Sequence, residues 1–290
     1  MSSLEMSAIL LPALFAGLVA ILATVVIERG GGALGGIISL PTTIVPASIG
    51  IWGGVSGIES FTSAMSMVPI GMLLNVLFLG SWRILPKIMG RKMNGANLVF
   101  SVSMVSIFMW AFFAGISTFS VEMISDDIGP SMIGLFATSL AVIIGVFAVR
   151  TNPPAPPGIN RVGLTTLFLR GLAAGSAIAA SVWIAGLGLP FISGMVSVFP
   201  AIFLTTMVSL WISQGADVPV GATGPMMLGS ASVSIYALLC IPFFATLGPW
   251  WGSLVSWALA VGLYSFQRDS GYGEPLMMVL RERLANGERT

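Results

Sequence analysis

Runs of apolar residues as long as the roughly 20 that a helix needs to cross a hydrocarbon core recur along almost the whole chain. Nine can be marked, at 7–27, 34–53, 61–82, 97–119, 129–149, 163–186, 190–212, 219–241 and 247–266. Apolar residues make up 56% of the sequence and charged residues only 8%. A water-soluble domain carries about a quarter charged residues, so this chain cannot cover a surface that faces water. The pattern predicts an all-α integral membrane protein of nine transmembrane helices, with the lipid bilayer as its solvent. The first run lacks the basic lead of a secretory signal and is long enough to span, so it is expected to be the first membrane helix.

Several chemistries are excluded by what is missing. The chain has no histidine and a single cysteine, Cys240, inside an apolar run. Histidine-based triads, histidine metal sites and an internal disulfide therefore drop out. The aspartates are Asp126, Asp127, Asp217 and Asp269, and only one lies near a span, which disfavours a two-aspartate intramembrane protease. No glycine-rich phosphate loop with its lysine is present. The expectation is a protein that is not an enzyme, with no cofactor and no metal. A net charge of +1 provides no field for nucleic acid.

The charges between the runs set an orientation. Arg83, Lys87, Arg91 and Lys92 follow the third run, and Arg150 and Arg161 flank a proline-rich stretch at 152–157. Arg268, Arg281, Arg283 and Arg289 follow the ninth run. Basic residues collect on the cytoplasmic side. Placing the 83–92 segment inside also places the other basic clusters inside, with the N-terminus outside and the C-terminus cytoplasmic. The segment 274–285 suits either a short interfacial amphipathic helix or a solvated tail.

The chain also matches itself. At a shift of 158 positions Leu14, Ala16 and Gly17 fall on Leu172, Ala174 and Gly175. Gly30, Gly36, Ser39, Ile44, Gly57, Ala64 and Gly71 fall on Gly188, Gly194, Ser197, Ile202, Gly215, Ala222 and Gly229, and Glu59 falls on Asp217. Past the basic segment the shift becomes 147, and Ser106, Trp110, Ala111 and Gly115 fall on Ser253, Trp257, Ala258 and Gly262. The match predicts a 4+1+4 plan. Residues 1–128 form a first four-helix repeat, and 129–160 hold a linker helix with the proline-rich loop. Residues 161–268 form the second repeat, and 269–290 a cytoplasmic tail. Counterpart runs are five apart, an odd number, so the second copy must be inverted.

Both copies break the helical pattern at corresponding places. The second run contains Ser39, Pro41, Thr42, Thr43 and Pro46, and the seventh contains Ser197, Pro200, Thr205 and Thr206. Proline removes a backbone donor and disfavours continuous helix. Interrupted helices in matching positions of two halves point to a transporter binding site, because freed backbone groups and nearby hydroxyls can hold an ion or polar solute. A kink that only shapes packing is the alternative. Glu59 and Asp217, each opening a helix, suit either gating and coupling groups or helix-dipole partners. Arg170, one to two turns into the sixth run, is expected to snorkel, pair or face a cavity, with its place near the cytoplasmic end favouring snorkelling. Asn75 can hydrogen-bond across helices. Gly171 and Gly175 make a small-residue face that suits packing within the bundle or a homo-oligomer contact between two copies of the chain.

Small duplicated, inverted helical units of this kind resemble the drug/metabolite transporter superfamily. The resemblance covers about 13–265 and is architectural. Members of that superfamily have ten spans, and the tenth is missing here. The resemblance implies transport of a small solute by alternating access. The expectation is thus a secondary transporter or facilitator of a small solute or ion, with a pore and a non-transporting scaffold subunit as the alternatives.

Overall fold

The computed structural model describes residues 3–30, 41–55, 57–153 and 163–269. Ser39, with the rest of 31–40, lies outside the described residues, as do 154–162 and 270–290, and with them most of the expected proline-rich loop and the whole of the segment 274–285.

All regular structure among the described residues is helical. The helices are α1 (Ser3–Gly30), α2 (Val45–Gly54), α3 (Ile58–Met89), α4 (Gly95–Ile124), α5 (Pro130–Arg150), α6 (Leu164–Gly186), α7 (Pro190–Ser197), α8 (Ala201–Gln214) and α9 (Asp217–Asp269). Within α9 the chain leaves helical geometry at Gly248, with φ 74° and ψ 173°. Pro249 follows directly. This conformation is open essentially to glycine alone, and it divides α9 into two arms. Among the described residues seven segments are long and apolar enough to cross a membrane, with α7 and α8 counted as one and both arms of α9 as another. The chain is an all-α, multi-pass membrane protein.

Burial sorts the helices into a centre and a rim. The most apolar window of α3 is 78% buried, whereas those of α1, α4, α5 and α6 are between 22% and 33% buried. α3 is therefore the central post, and it packs against α4, α5, α7 and α9. The rim helices turn large apolar side chains outward, including Phe100, Phe108, Phe112 and Phe119 of α4. So much exposed aromatic surface on one helix fits lipid rather than water. Inside, Phe61 of α3 stacks on Phe244 of α9 with ring centres 5.0 Å apart. Trp52 of α2 sets its edge against both rings, at 4.9 and 5.6 Å.

α1 and α6 meet along a seam of small residues. A methyl group built on Gly17 would lie 2.9 Å from the Gly171 carbonyl oxygen, and one on Gly175 would lie 2.9 Å from that of Ala13. Residue number rises along α1 as it falls along α6, so the two helices run antiparallel. The Gly171–Gly175 face packs against α1 of the same chain.

The segment 83–92, expected between spans, is mostly helix. α3 continues to Met89, and Arg83 is held to its neighbours. Its Nε donates to Thr223 Oγ1 at 2.6 Å, and its Nη2 donates to Asn152 Oδ1 at 2.7 Å and to the Ala148 carbonyl at 3.0 Å. Asn152 Nδ2 donates in turn to the Gly221 carbonyl at 2.6 Å. One guanidinium thereby ties the ends of α3, α5 and α9 together.

Candidate functional site

The two proline-marked segments both break. Pro41 and Thr42 are helical, Thr43 and Ile44 form a turn, and α2 starts at Val45. Pro46 falls in the first turn of α2, where a missing N–H leaves no intrahelical bond unmade. In the other segment α7 ends at Ser197, and Pro200 is the residue preceding α8. Pro200 has no N–H to continue the ladder. Between the two helices the Val198 carbonyl accepts a hydrogen bond from Asn75 Nδ2 of α3 at 2.9 Å. A donor from the central post thus satisfies a backbone group exposed by the break.

Each break is backed by a tryptophan from elsewhere in the chain. Trp257, on the second arm of α9, donates from Nε1 to Thr42 Oγ1 at 2.9 Å. Trp110 of α4 sets its ring edge-on to Phe199, with ring centres 5.4 Å apart.

A cavity of about 60 Å³ lies between the breaks. Many of its lining residues come in pairs 158 positions apart: Ala16 with Ala174, Thr43 with Ala201, Ile44 with Ile202, and Asn75 with Val233. Thr43, Asn75 and Ser197 are the polar side chains among the lining residues, and none of the described lining residues is charged.

Asn75 is the group in this cavity that the protein leaves incomplete. It is 1% exposed. Its amide nitrogen donates to the Val198 carbonyl and, at 3.5 Å, to Met72 Sδ, while Oδ1 has no hydrogen-bond partner. The amide cannot be turned round to cure this. Its oxygen would then face the Val198 carbonyl, two acceptors in contact. An unpaired buried acceptor costs about 1–3 kcal/mol.

The sequence-expected residues divide between the cavity and its surroundings. Thr43 and Ser197 line it. Thr42 is committed to Trp257. Pro41, Pro46 and Pro200 are buried at the breaks themselves. Thr205 and Thr206 point back onto their own helix, donating to the Ala201 carbonyl at 2.8 Å and the Ile202 carbonyl at 2.7 Å. Neither is among the lining residues. Glu59 and Asp217 are exposed in the first turns of α3 and α9, where a carboxylate suits the helix dipole. Arg170 does not snorkel. It is 4% exposed, and its Nε donates to Thr205 Oγ1 at 3.2 Å. Its place on α6, one turn before Ala174 of the cavity wall, turns it inward against α8.

The orphaned oxygen of Asn75 is what the residue pattern alone could not supply. The available signal was an amide in an apolar run, which predicts an interhelical bond, and that bond is made. In comparisons with known proteins no family model, curated protein or solved structure matches the chain.

Proposed function

We propose that the chain is a secondary transporter or facilitator of a small solute, and that its two inverted repeats meet at the cavity between the broken helices. The observation that carries this is the cavity lined by pairs of residues at the repeat spacing, with one buried polar group left unmatched.

Three further features support the inverted repeat. First, element ends follow the 158-residue shift. Gly57 precedes α3 at φ 96° and ψ 173°, and Gly215 precedes α9 at φ 89° and ψ 171°. Both take the same glycine-only turn. Secondly, the α1–α6 seam is reciprocal. Gly17 meets Gly171, and their counterparts Gly175 and Ala13 meet each other, which is the signature of a two-fold axis. Because α1 and α6 are antiparallel, that axis fits inversion in the membrane. Thirdly, the matched tryptophans Trp110 and Trp257 each buttress the break of the other half. In this scheme α2 with the segment before it counts as one span and the arms of α9 as two, which gives nine. α5 is the unpaired linker, the N-terminus is outside and the C-terminus is cytoplasmic.

Inverted halves around a midplane site give alternating access when one half rocks against the other. A scaffold subunit has no use for a central cavity with an unmet polar group. The test is solute flux into proteoliposomes. Asn75→Leu and Thr43→Val should abolish it, and Thr206→Val, whose hydroxyl is tied to its own helix, should retain it. Flux that survives Asn75→Leu and Thr43→Val would place the pathway elsewhere. Single-channel currents would replace the transporter with a pore.

A further inference from the structure

We propose that the last turns of α3 hold an anionic phospholipid. Its acyl chain lies in a furrow floored by Leu77, Ile84 and Ile88, and its phosphate sits among Lys87, Arg91 and Lys92. This site does not depend on what the chain transports.

The furrow follows from the angles around α3. At about 100° per residue, Leu77, Ile84 and Ile88 fall within about 40° of one another. They are 49%, 59% and 60% exposed, on a helix whose most apolar window is 78% buried. Two different helices close the flanks. On one side Ser81 and Ser106 of α4 share a hydrogen bond of 2.7 Å. On the other, a methyl group built on Gly80 would lie 3.2 Å from the end of the Met227 side chain of α9. α4 and α9 each pack on α3 and make at most marginal contact with one another, so the strip between them stays open.

The depth fits one leaflet. Leu77 and Lys87 are 10 positions apart, about 15 Å along the helix, which is half of a hydrocarbon core of about 30 Å. Glu59 and Lys87 are 28 positions apart, about 42 Å, which matches a bilayer with its headgroups at about 40–45 Å. Lys87 therefore reaches headgroup level when Glu59 does so at the other face.

The charges choose the headgroup. Lys87 shares the face of Ile84 and Ile88. Gly90 keeps helical geometry at φ −63° and ψ −12°, which carries Arg91 on in the same register. Bonds from the Lys92 and Met93 N–H groups to the Met89 carbonyl close the turn. All three cations are exposed, and among the described residues none is held by an ion pair or a side-chain hydrogen bond. Of the acids whose side chains are described, Glu59, Glu122, Asp126 and Asp127 lie at the opposite end of the bundle and Asp217 at this one. Three unpaired cations above an apolar furrow suit a phosphate carried on an acyl chain, and each such cation strengthens attraction to anionic lipid about fivefold.

The test uses the purified full chain in phosphatidylcholine vesicles that contain brominated phosphatidylglycerol or brominated phosphatidylcholine. A bimane label on Ile84→Cys reports lipid in the furrow. A label on Met104→Cys, exposed on α4 at a similar depth, reports lipid outside it. Cys240 is buried and stays in place. Brominated phosphatidylglycerol should associate at the Ile84 label about fivefold or more tightly than brominated phosphatidylcholine, with no preference at Met104. Lys87→Gln, Arg91→Gln and Lys92→Gln together should remove the preference. Should that variant fail to fold, salt at about 1 M, which screens beyond about 3 Å, should weaken the preference in the parent protein. Equal preference at both labels would make the attraction a property of the whole leaflet and overturn the site. No preference at Ile84, or one that survives both the triple variant and salt, would overturn it as well. Loss of the preference to an excess of glycerol phosphate would replace the lipid with a soluble phosphate.

Discussion

The seam between α1 and α6 yields the sharpest prediction, because its two ends are counterparts in the proposed repeat. Gly17→Ala places a methyl group 2.9 Å from the Gly171 carbonyl oxygen, and Gly175→Ala places one 2.9 Å from that of Ala13. Ordinary contact begins at 3.4 Å, so in each variant the helices must part by about 0.5 Å. The obstructing atom is backbone and cannot swing aside. Overpacking of this kind costs about 1–3 kcal/mol, and replacing a mid-helix glycine by alanine returns about 0.5–1 kcal/mol. The net loss is then about 1 kcal/mol at either position. The double variant should lose less than the sum, because one separation of the helices relieves both clashes.

Unfolding of the purified protein from mild detergent by titrated denaturing detergent provides the measurement. Gly115→Ala is the control. A methyl group there meets nothing within 4 Å, so that variant should gain about 0.5–1 kcal/mol. If Gly17→Ala and Gly175→Ala differ by more than about 1 kcal/mol, the seam is not reciprocal and the two-fold relation loses its best local support. If both behave like Gly115→Ala, the helices are not in backbone contact at all.

Three other outcomes are expected. Asn75→Leu should leave the melting temperature within a few degrees of the parent, because exposing the Val198 carbonyl (about 1–3 kcal/mol) is offset by removing the orphaned Oδ1, a similar amount; a collapse in thermal melting would make Asn75 structural. Arg83→Met breaks the bonds to Thr223, Asn152 and Ala148 and should cost about 2 kcal/mol in the same detergent titration, and no loss would mean the tie is ornamental. Trp257→Phe loses a hydrogen bond to Thr42, whereas Trp110→Phe removes a buried Nε1 that has no partner. Trp257→Phe should therefore be the less stable of the two by about 1–2 kcal/mol in parallel melts, and the reverse order would contradict the assigned bonding.

How far the sequence reached depended on the range of the physics involved. Hydropathy is local, so the helical membrane class was legible, and the prolines at 41, 46 and 200 located both breaks. Helix ends were less legible. Arg83 and Lys87 look like loop residues, yet α3 carries them to Met89 because Arg83 finds acceptors on α5 and α9. For Arg170 the sequence favoured snorkelling over pairing for the same reason. Snorkelling is the default for a lone charge near a membrane interface, and only the packing of α6 on α8 reveals Thr205 as its inward partner. The hydroxyls of Thr205 and Thr206 were legible as polar groups, but not as groups already spent on their own helix. Most remote of all was Asn75 Oδ1. Its status depends on Val198, 123 positions away, capturing the other end of the amide.

The proposed repeat carries one asymmetry at the cavity. A two-fold scaffold presents the same shape from both sides, and Ile44 faces the cavity as Ile202 does, Ala16 as Ala174. Identical chemistry on both sides would give a ligand two equivalent poses. The pairing fails at the polar positions: Asn75 is matched by Val233, and Thr43 by Ala201. The tryptophans diverge in the same way, one bonded to Thr42 and the other unpartnered at Nε1. Under the proposed duplication, the apolar pairs are what the copies share and the polar positions are where they have diverged. Rocking one half against the other must strain the Asn75–Val198 bond, which spans them.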